Sequence, residues 1–156
     1  MDKLTFEAKV DWTKGKEEQF VDNNFSRAHL WHFDGGLSVP ASSSHHIIPI
    51  PLSNPDNIDP EQAFIAAVSS CHMMALLTIA SKRKYVVESY SDKAIGILER
   101  DNSGRSSITK VTLRPVIRFS GANVPSKDNL RKLHKVAHDN CFIANSVKAE
   151  ITVDIL

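Results

Sequence analysis

Cysteine is scarce in this chain: there are two in 156 residues, Cys71 and Cys141, seventy positions apart and with no CxxC pair. The missing CxxC excludes a thioredoxin-type motif, and so low a count excludes a fold stapled by several disulfides. Charge of one sign is missing too. Nineteen Lys and Arg stand against eighteen Asp and Glu, scattered along the chain, which leaves no basic stripe for nucleic acid or an anionic membrane surface. No long charged or Gly-rich run interrupts an ordinary 42% hydrophobic composition, so a folded globular chain is expected. Met1, Asp2, Lys3, Leu4 and Thr5 lack the basic start and apolar run of a secretory signal, and a cytoplasmic protein is expected.

What is present fits one domain spanning residues 1–156. Leu4 to Trp12 alternate loosely, and Glu18–Val21 and Ala28–Phe33 are further short extended runs, with turns at Lys14-Gly15-Lys16 and Asp22-Asn23-Asn24. Asp34-Gly35-Gly36 ends this meander. From Ser38 to Pro60 five prolines and Ser42-Ser43-Ser44 predict an ordered loop, and a loop of that length tends to be functional.

Asp59, Pro60 and Gln62 are the start signal of a helix running to about Arg83. Its stretch Ala63–Ala80 has no Asp, Glu, Lys or Arg and approaches the length of a membrane span. Ser69, Ser70, His72 and Thr78 interrupt it and Lys82-Arg83-Lys84 follow, so a core helix wrapped by sheet and partner surfaces is expected instead. Tyr85–Arg100 and Ser107–Phe119 flank the turn Asp101–Gly104 as a hairpin; Pro125-Ser126 opens a second helix to about Asn140; and Val147–Ile155 alternates as a one-face-buried strand. The order β-β-β, α, β-β, α, β is an α+β class.

Two isolated cysteines in a reducing compartment direct attention to thiol chemistry, although each has a bland reading. Cys71 lies about twelve residues into an apolar helix, where burial raises a thiol's pKa. At an ordinary pKa near 8.5 only about 3% is thiolate at pH 7, so a reactive Cys71 needs a cation, and the helix dipole is too far away to serve. Arg27 on an early strand is a candidate, equally readable as a solvated charge, with Glu61 able to hold its planar fork. Glu61 and Cys71 are ten positions apart, about 15 Å along a straight helix, so the helix kinks or the two act across a two-fold dimer. Cys141, at or just past the end of the second helix, reads as structural or as a movable resolving thiol. His134, His138 and Cys141 share a helix face and with Cys71 offer a Cys₂His₂ metal set, against which the histidines read as the wet edge of the helix. His72 points roughly 100° away from Cys71, which disfavours a Cys–His dyad, and His45-His46 has no assigned role.

The run Asn54-Pro55-Asp56-Asn57-Ile58-Asp59-Pro60-Glu61-Gln62-Ala63-Phe64, continued by Ala67-Val68-Ser69-Ser70-Cys71-His72-Met73-Met74, resembles the osmotically inducible/organic hydroperoxide resistance (OsmC/Ohr) family, on its OsmC-like side. The resemblance implies an OsmC-like fold of antiparallel sheets around a long central helix in an intertwined homodimer. It also implies a thiol-dependent peroxidase that reduces organic hydroperoxides without a cofactor or metal. By that resemblance Cys71 is the peroxidatic and Cys141 the resolving cysteine, with Glu61 and Arg27 completing the site. An external dithiol, lipoyl-type in the family, is the implied reductant. Phe64, Met73, Met74, Phe142 and Ile143 are candidates for an apolar substrate wall, with ordinary core packing as the alternative. A redox-sensing or ligand-binding relative without turnover, and a metal-binding protein, are the competing functions.

Overall fold

The computed structural model describes residues 2–155, which fall into two compact units divided between Ala63 and Phe64. In the first, β1 (Ala8–Asp11), β2 (His29–Phe33) and β3 (Ser38–Ala41) form an antiparallel sheet in the order β1-β2-β3, with Val10 and Val39 both opposite Trp31. Gly36, at φ 82°, closes the β2–β3 turn and donates its N–H to the Phe33 carbonyl at 2.9 Å.

Two expectations fail here for local reasons. Glu18–Val21 is no strand, because Phe20 and Asn23 hold φ values of 65° and 61°, outside the extended region. The Glu18 carboxylate instead accepts the N–H groups of Gly15 (2.8 Å) and Ser26 (2.7 Å), and Phe20 stacks on Phe25 with ring centroids 4.6 Å apart. Conversely, the loop expected from Ser38 opens with β3, which tolerates Pro40 because it is an edge strand. Beyond it the chain is ordered by its own backbone: the Ser42 N–H donates to Ile58 O at 2.9 Å and the Asn54 N–H to Ser42 Oγ at 2.9 Å.

Helix α1 (Pro60–Lys82) is unbroken over 23 residues. Its start follows the sequence signal, with Asp59 Oδ1 accepting the Gln62 N–H at 2.7 Å and Pro60 in the first helical position, where no amide is needed. Val68, His72, Leu76 and Ala80, spaced by four, form the buried line of its second-unit portion. Only 22% of its most apolar stretch is buried within the chain, although by length and composition the helix could cross a membrane. Wrapping by sheet covers one side of α1.

In the second unit the expected hairpin splits. β5 (Ile95–Arg100) and β6 (Ser106–Leu113) close over Asp101–Gly104, while β4 (Val86–Asp92) pairs antiparallel with β7 (Pro115–Ser120) as a separate two-stranded sheet. Pro115 has no N–H to continue a ladder, and Asp92 Oδ1 takes the Arg114 N–H at 2.6 Å where the strands divide. α2 (Lys127–Asp139) is capped by Ser126, whose side chain accepts the Asn129 N–H at 3.2 Å. A single 3₁₀ turn (Ala144–Ser146) leads to β8 (Glu150–Val153). β8 is shorter than its alternating pattern predicts and pairs parallel with β6, Val111 opposite Ile151, so this sheet is mixed. Val68, Val111 and Leu113 form the core where α1 meets this sheet.

β5 approaches α1 at Gly96, where a Cβ would stand 2.5 Å from Ile65 Cδ1 and 2.8 Å from Cγ1. Gly96→Ala is expected to destabilise the chain by about 1–3 kcal/mol through overpacking. Adding Ile65→Val, which removes the offending Cδ1, is expected to recover part of that loss, as read from urea unfolding midpoints.

Candidate active site

Cys71 occupies the fourth turn of α1 and is half-buried, while Cys141 follows directly on the residue that caps the C-terminal end of α2, Asn140, and is 0% exposed. Both are free thiols. The Cys141 N–H donates to His138 O at 3.1 Å, its sulfur accepts the Ala144 N–H at 3.4 Å, and Sγ lies 4.0 Å from the Val68 carbonyl, one turn before Cys71 on α1. Burial, and then the neighbouring Cys71 thiol, push the Cys141 thiol up to about 11. At neutral pH Cys141 is therefore a protonated thiol.

A cavity of about 570 Å³ opens beside Cys71. Met74, Ala75 and Ile79 of α1 supply one wall and Val136 and Phe142 the other, with Lys82 and Asn140 as polar members. Within one chain Met74 and Phe142 are 56% and 68% exposed. Phe64 and Ile143 instead pack against the Val68–Val111–Leu113 core, Phe64 also lining a separate cavity with Arg105 and Lys148. Met73 is half-buried and does not line the cavity at Cys71.

Arg27 and Glu61 meet in the first unit, lining a cavity of about 370 Å³ together with Trp12, Phe25, His29 and Ser43. They form no ion pair there. The Arg27 guanidinium donates to the carbonyls of Phe25 and Asn23 and, at 2.7 Å, to Asn23 Oδ1, and its Cζ lies 3.7 Å from the Phe25 ring centroid. Glu61 Oε2 is buried without a hydrogen-bond partner. A buried carboxylate oxygen with no donor is a costly arrangement, relieved when a cation or donor enters the cavity. Because α1 is unbroken, Glu61 and Cys71 are separated by ten residues of continuous helix, about 15 Å along its axis.

Sequence reasoning missed a buried histidine pair. His72 Nε2 and His134 Nδ1 are 3.0 Å apart with nearly parallel rings, and the residues are 1% and 3% exposed. His134 is thus an interior residue of α2, not part of a wet helix edge. The available signal was helical register: His72 falls on the line Val68, Leu76, Ala80, and His134 stands next to Leu133 and one turn before Ala137, both buried. Burial lowers both rings to about 4; for His72, charge on His134 and His138 adds to the effect, while Asp92 opposes it for both. Both are neutral at pH 7. Among the described residues no group of three or more His, Cys, Asp or Glu side chains is arranged to hold a metal.

On this α+β frame one free cysteine is buried and the other borders an apolar cavity. The OsmC-like protein family model matches residues 53–156, two-thirds of the chain, and the chain belongs to that family. An OsmC-like protein of unknown function from Vibrio cholerae is 51% identical, with a TM-score of 0.97, over 99% of this chain and 100% of its own. Organic hydroperoxide resistance proteins from Elizabethkingia anophelis (20% identity, TM-score 0.71, 99% and 96% covered) and Bacillus subtilis (21%, 0.62, 97% and 98%) share the fold. No curated protein matches the chain.

Two outcomes follow from this geometry. Iodoacetamide at pH 8 is expected to add once to the native reduced chain, at Cys71, and twice after denaturation, as counted by intact mass. The depressed histidines make stability depend on pH, because the unfolded chain takes up protons below about 6.5 while the folded rings resist until near 4. Their contribution is fully present above 6.5 and lost as pH falls through that window, a loss on the order of 2–3 kcal/mol per ring by pH 4. Urea midpoints measured from pH 7 to 4 should fall less steeply in the His72→Leu/His134→Leu double variant.

Proposed function

We propose that this protein is a cytoplasmic, thiol-dependent peroxidase that reduces organic hydroperoxides through Cys71. The observation that carries the reading is that Cys141 is buried against Val68, one turn before Cys71, while Cys71 borders an apolar cavity, which supports a protected second thiol paired with an accessible first one. The fold shared with organic hydroperoxide resistance proteins supports it.

In this mechanism the Cys71 thiolate attacks the distal peroxide oxygen. The O–O bond breaks, an alcohol leaves with one added proton, and Cys71 becomes a sulfenic acid. The Cys141 thiol then displaces the sulfenic hydroxyl, releasing water and forming the Cys71–Cys141 disulfide. An external dithiol of the lipoyl type reduces that bond by two electrons and returns both thiols. Met74 and Phe142 bind the organic portion of the substrate, a preference that water-loving hydrogen peroxide does not share.

Thiolate formation at Cys71 needs a positive group, and Arg27, oriented by Glu61, is assigned that role across a homodimer. The partnerless Glu61 oxygen supports a site completed by another group, and the apolar side of α1 left uncovered within one chain supports a second copy packing there. Ten residues of unbroken helix between Glu61 and Cys71 favour sharing between subunits over a site within one.

Cumene or tert-butyl hydroperoxide consumption with a small dithiol as reductant is expected to exceed hydrogen peroxide consumption, and to fall to the uncatalysed rate in Cys71→Ser. One equivalent of hydroperoxide should lower the intact mass of the wild type by about 2 Da, the signature of a disulfide. Disulfide formation with no turnover would identify a redox sensor, and no reaction with any peroxide would overturn both readings. Mixed dimers of Glu61→Ala and Cys71→Ser chains should regain activity at one of their two sites.

A further inference from the structure

A disulfide tolerates little error, with Cβ atoms about 3.5–4.5 Å apart and a restricted dihedral angle about the S–S bond. Cys71 and Cys141 belong to different elements, one within α1 and one just past α2, so the packing of these helices sets the distance between the sulfurs. Apolar attraction is non-directional and constrains helix register only through interdigitation, whereas a hydrogen bond between side chains adds a directional constraint at one point. Among the described residues, one side-chain hydrogen bond joins α1 to α2: His72 Nε2 to His134 Nδ1, at 3.0 Å. It is anchored next to Cys71 on one helix and two turns before Cys141 on the other.

The pair is a poor choice for stability alone. One ring donates and the other accepts, so the two outward ring nitrogens, His72 Nδ1 and His134 Nε2, carry one proton and one lone pair between them, and both are buried without a partner. Stranding polar atoms destabilises a fold, and apolar residues of similar size would fill the space at lower cost. Asp92 lies close enough for its charge to act on both rings, and it is itself held by the Ser69 hydroxyl and by the Arg114 N–H at 2.6 Å.

From this we infer that His72 and His134 are positioning residues, whose ring-to-ring hydrogen bond holds Cys71 and Cys141 at disulfide-forming separation. The inference rests on the reading that these two thiols pair during turnover. The reaction concerned is Cys71–SOH + Cys141–SH → Cys71–S–S–Cys141 + H₂O, and its rate and extent depend on how often the second sulfur faces the first.

The test needs no peroxide. Wild type, His134→Asn, His134→Leu and the His72→Leu/His134→Leu double variant are equilibrated with glutathione redox buffers, and the disulfide fraction is read by intact mass after acid quenching. Asparagine places an amide atom near the position of Nδ1 and is expected to match the wild type, whereas His134→Leu should lower the effective concentration of the thiol pair by about tenfold or more. The double variant strands no polar atom and serves if His134→Leu fails to fold; its unfolding midpoint should be at least that of His134→Leu while its disulfide stays weak. A leucine variant within about twofold of wild type, or a wild type that forms no Cys71–Cys141 disulfide, overturns the assignment. Hydroperoxide turnover by the wild type is measured in parallel, so an intact disulfide equilibrium without turnover rejects the peroxidase and leaves the positioning role standing.

Discussion

The burial of the Cys141 sulfur against the first half of α1 is the contact on which the arrangement depends. Val68, one turn before Cys71, does two things there: its side chain enters the core with Val111 and Leu113, and its carbonyl faces the Cys141 sulfur. The packing that joins α1 to the β5-β6-β8 sheet therefore also sets where the second thiol rests. Withdrawn from water, that thiol keeps its proton and is shielded from solvent. Two chemically identical groups thus differ in exposure, one buried and one bordering a cavity.

The elements most legible in the sequence were those with local chemical signals. Asp59 and Pro60 marked the start of α1, Ser126 marked α2, and Asp101–Gly104 marked the tight turn, because caps and turns are decided by a few neighbouring residues. Pairing between distant strands was less legible. The division of one long hairpin into β5–β6 and β4–β7 turns on Pro115 and on Asp92 capturing an amide 22 residues away, and alternation along a strand does not reveal such a partner. Nor does alternation state direction, so the parallel pairing of β8 with β6 came from topology alone. Phe20 was misread for another reason: its apolar neighbours suggest an extended run, but stacking on Phe25 holds the backbone in a left-handed turn.

The candidate site was legible in its parts and not in its assembly. Rarity singled out the cysteines, and helical geometry was enough to separate Glu61 from Cys71, but nothing in the spacing of Cys71 and Cys141 announces that Cys141 packs against α1 one turn before Cys71. The five apolar candidates could not be sorted by residue type, since Phe64 and Phe142 are alike until burial divides one into the core and leaves the other at a cavity mouth. The histidine pair was hidden by the general preference of polar residues for the surface, though both members sit in step with buried neighbours.

The helical register at Cys71 has a consequence of its own. Within one chain Ser70 is uncovered, His72 is sealed in the interior, and Cys71 lies on the boundary between them. With successive side chains about 100° apart around the axis, this is the one position of the three from which an atom can look outward to a small diffusing molecule and inward to a shielded neighbour. The shoreline of the helix, more than any special chemistry of its residues, decides which sulfur meets the outside first.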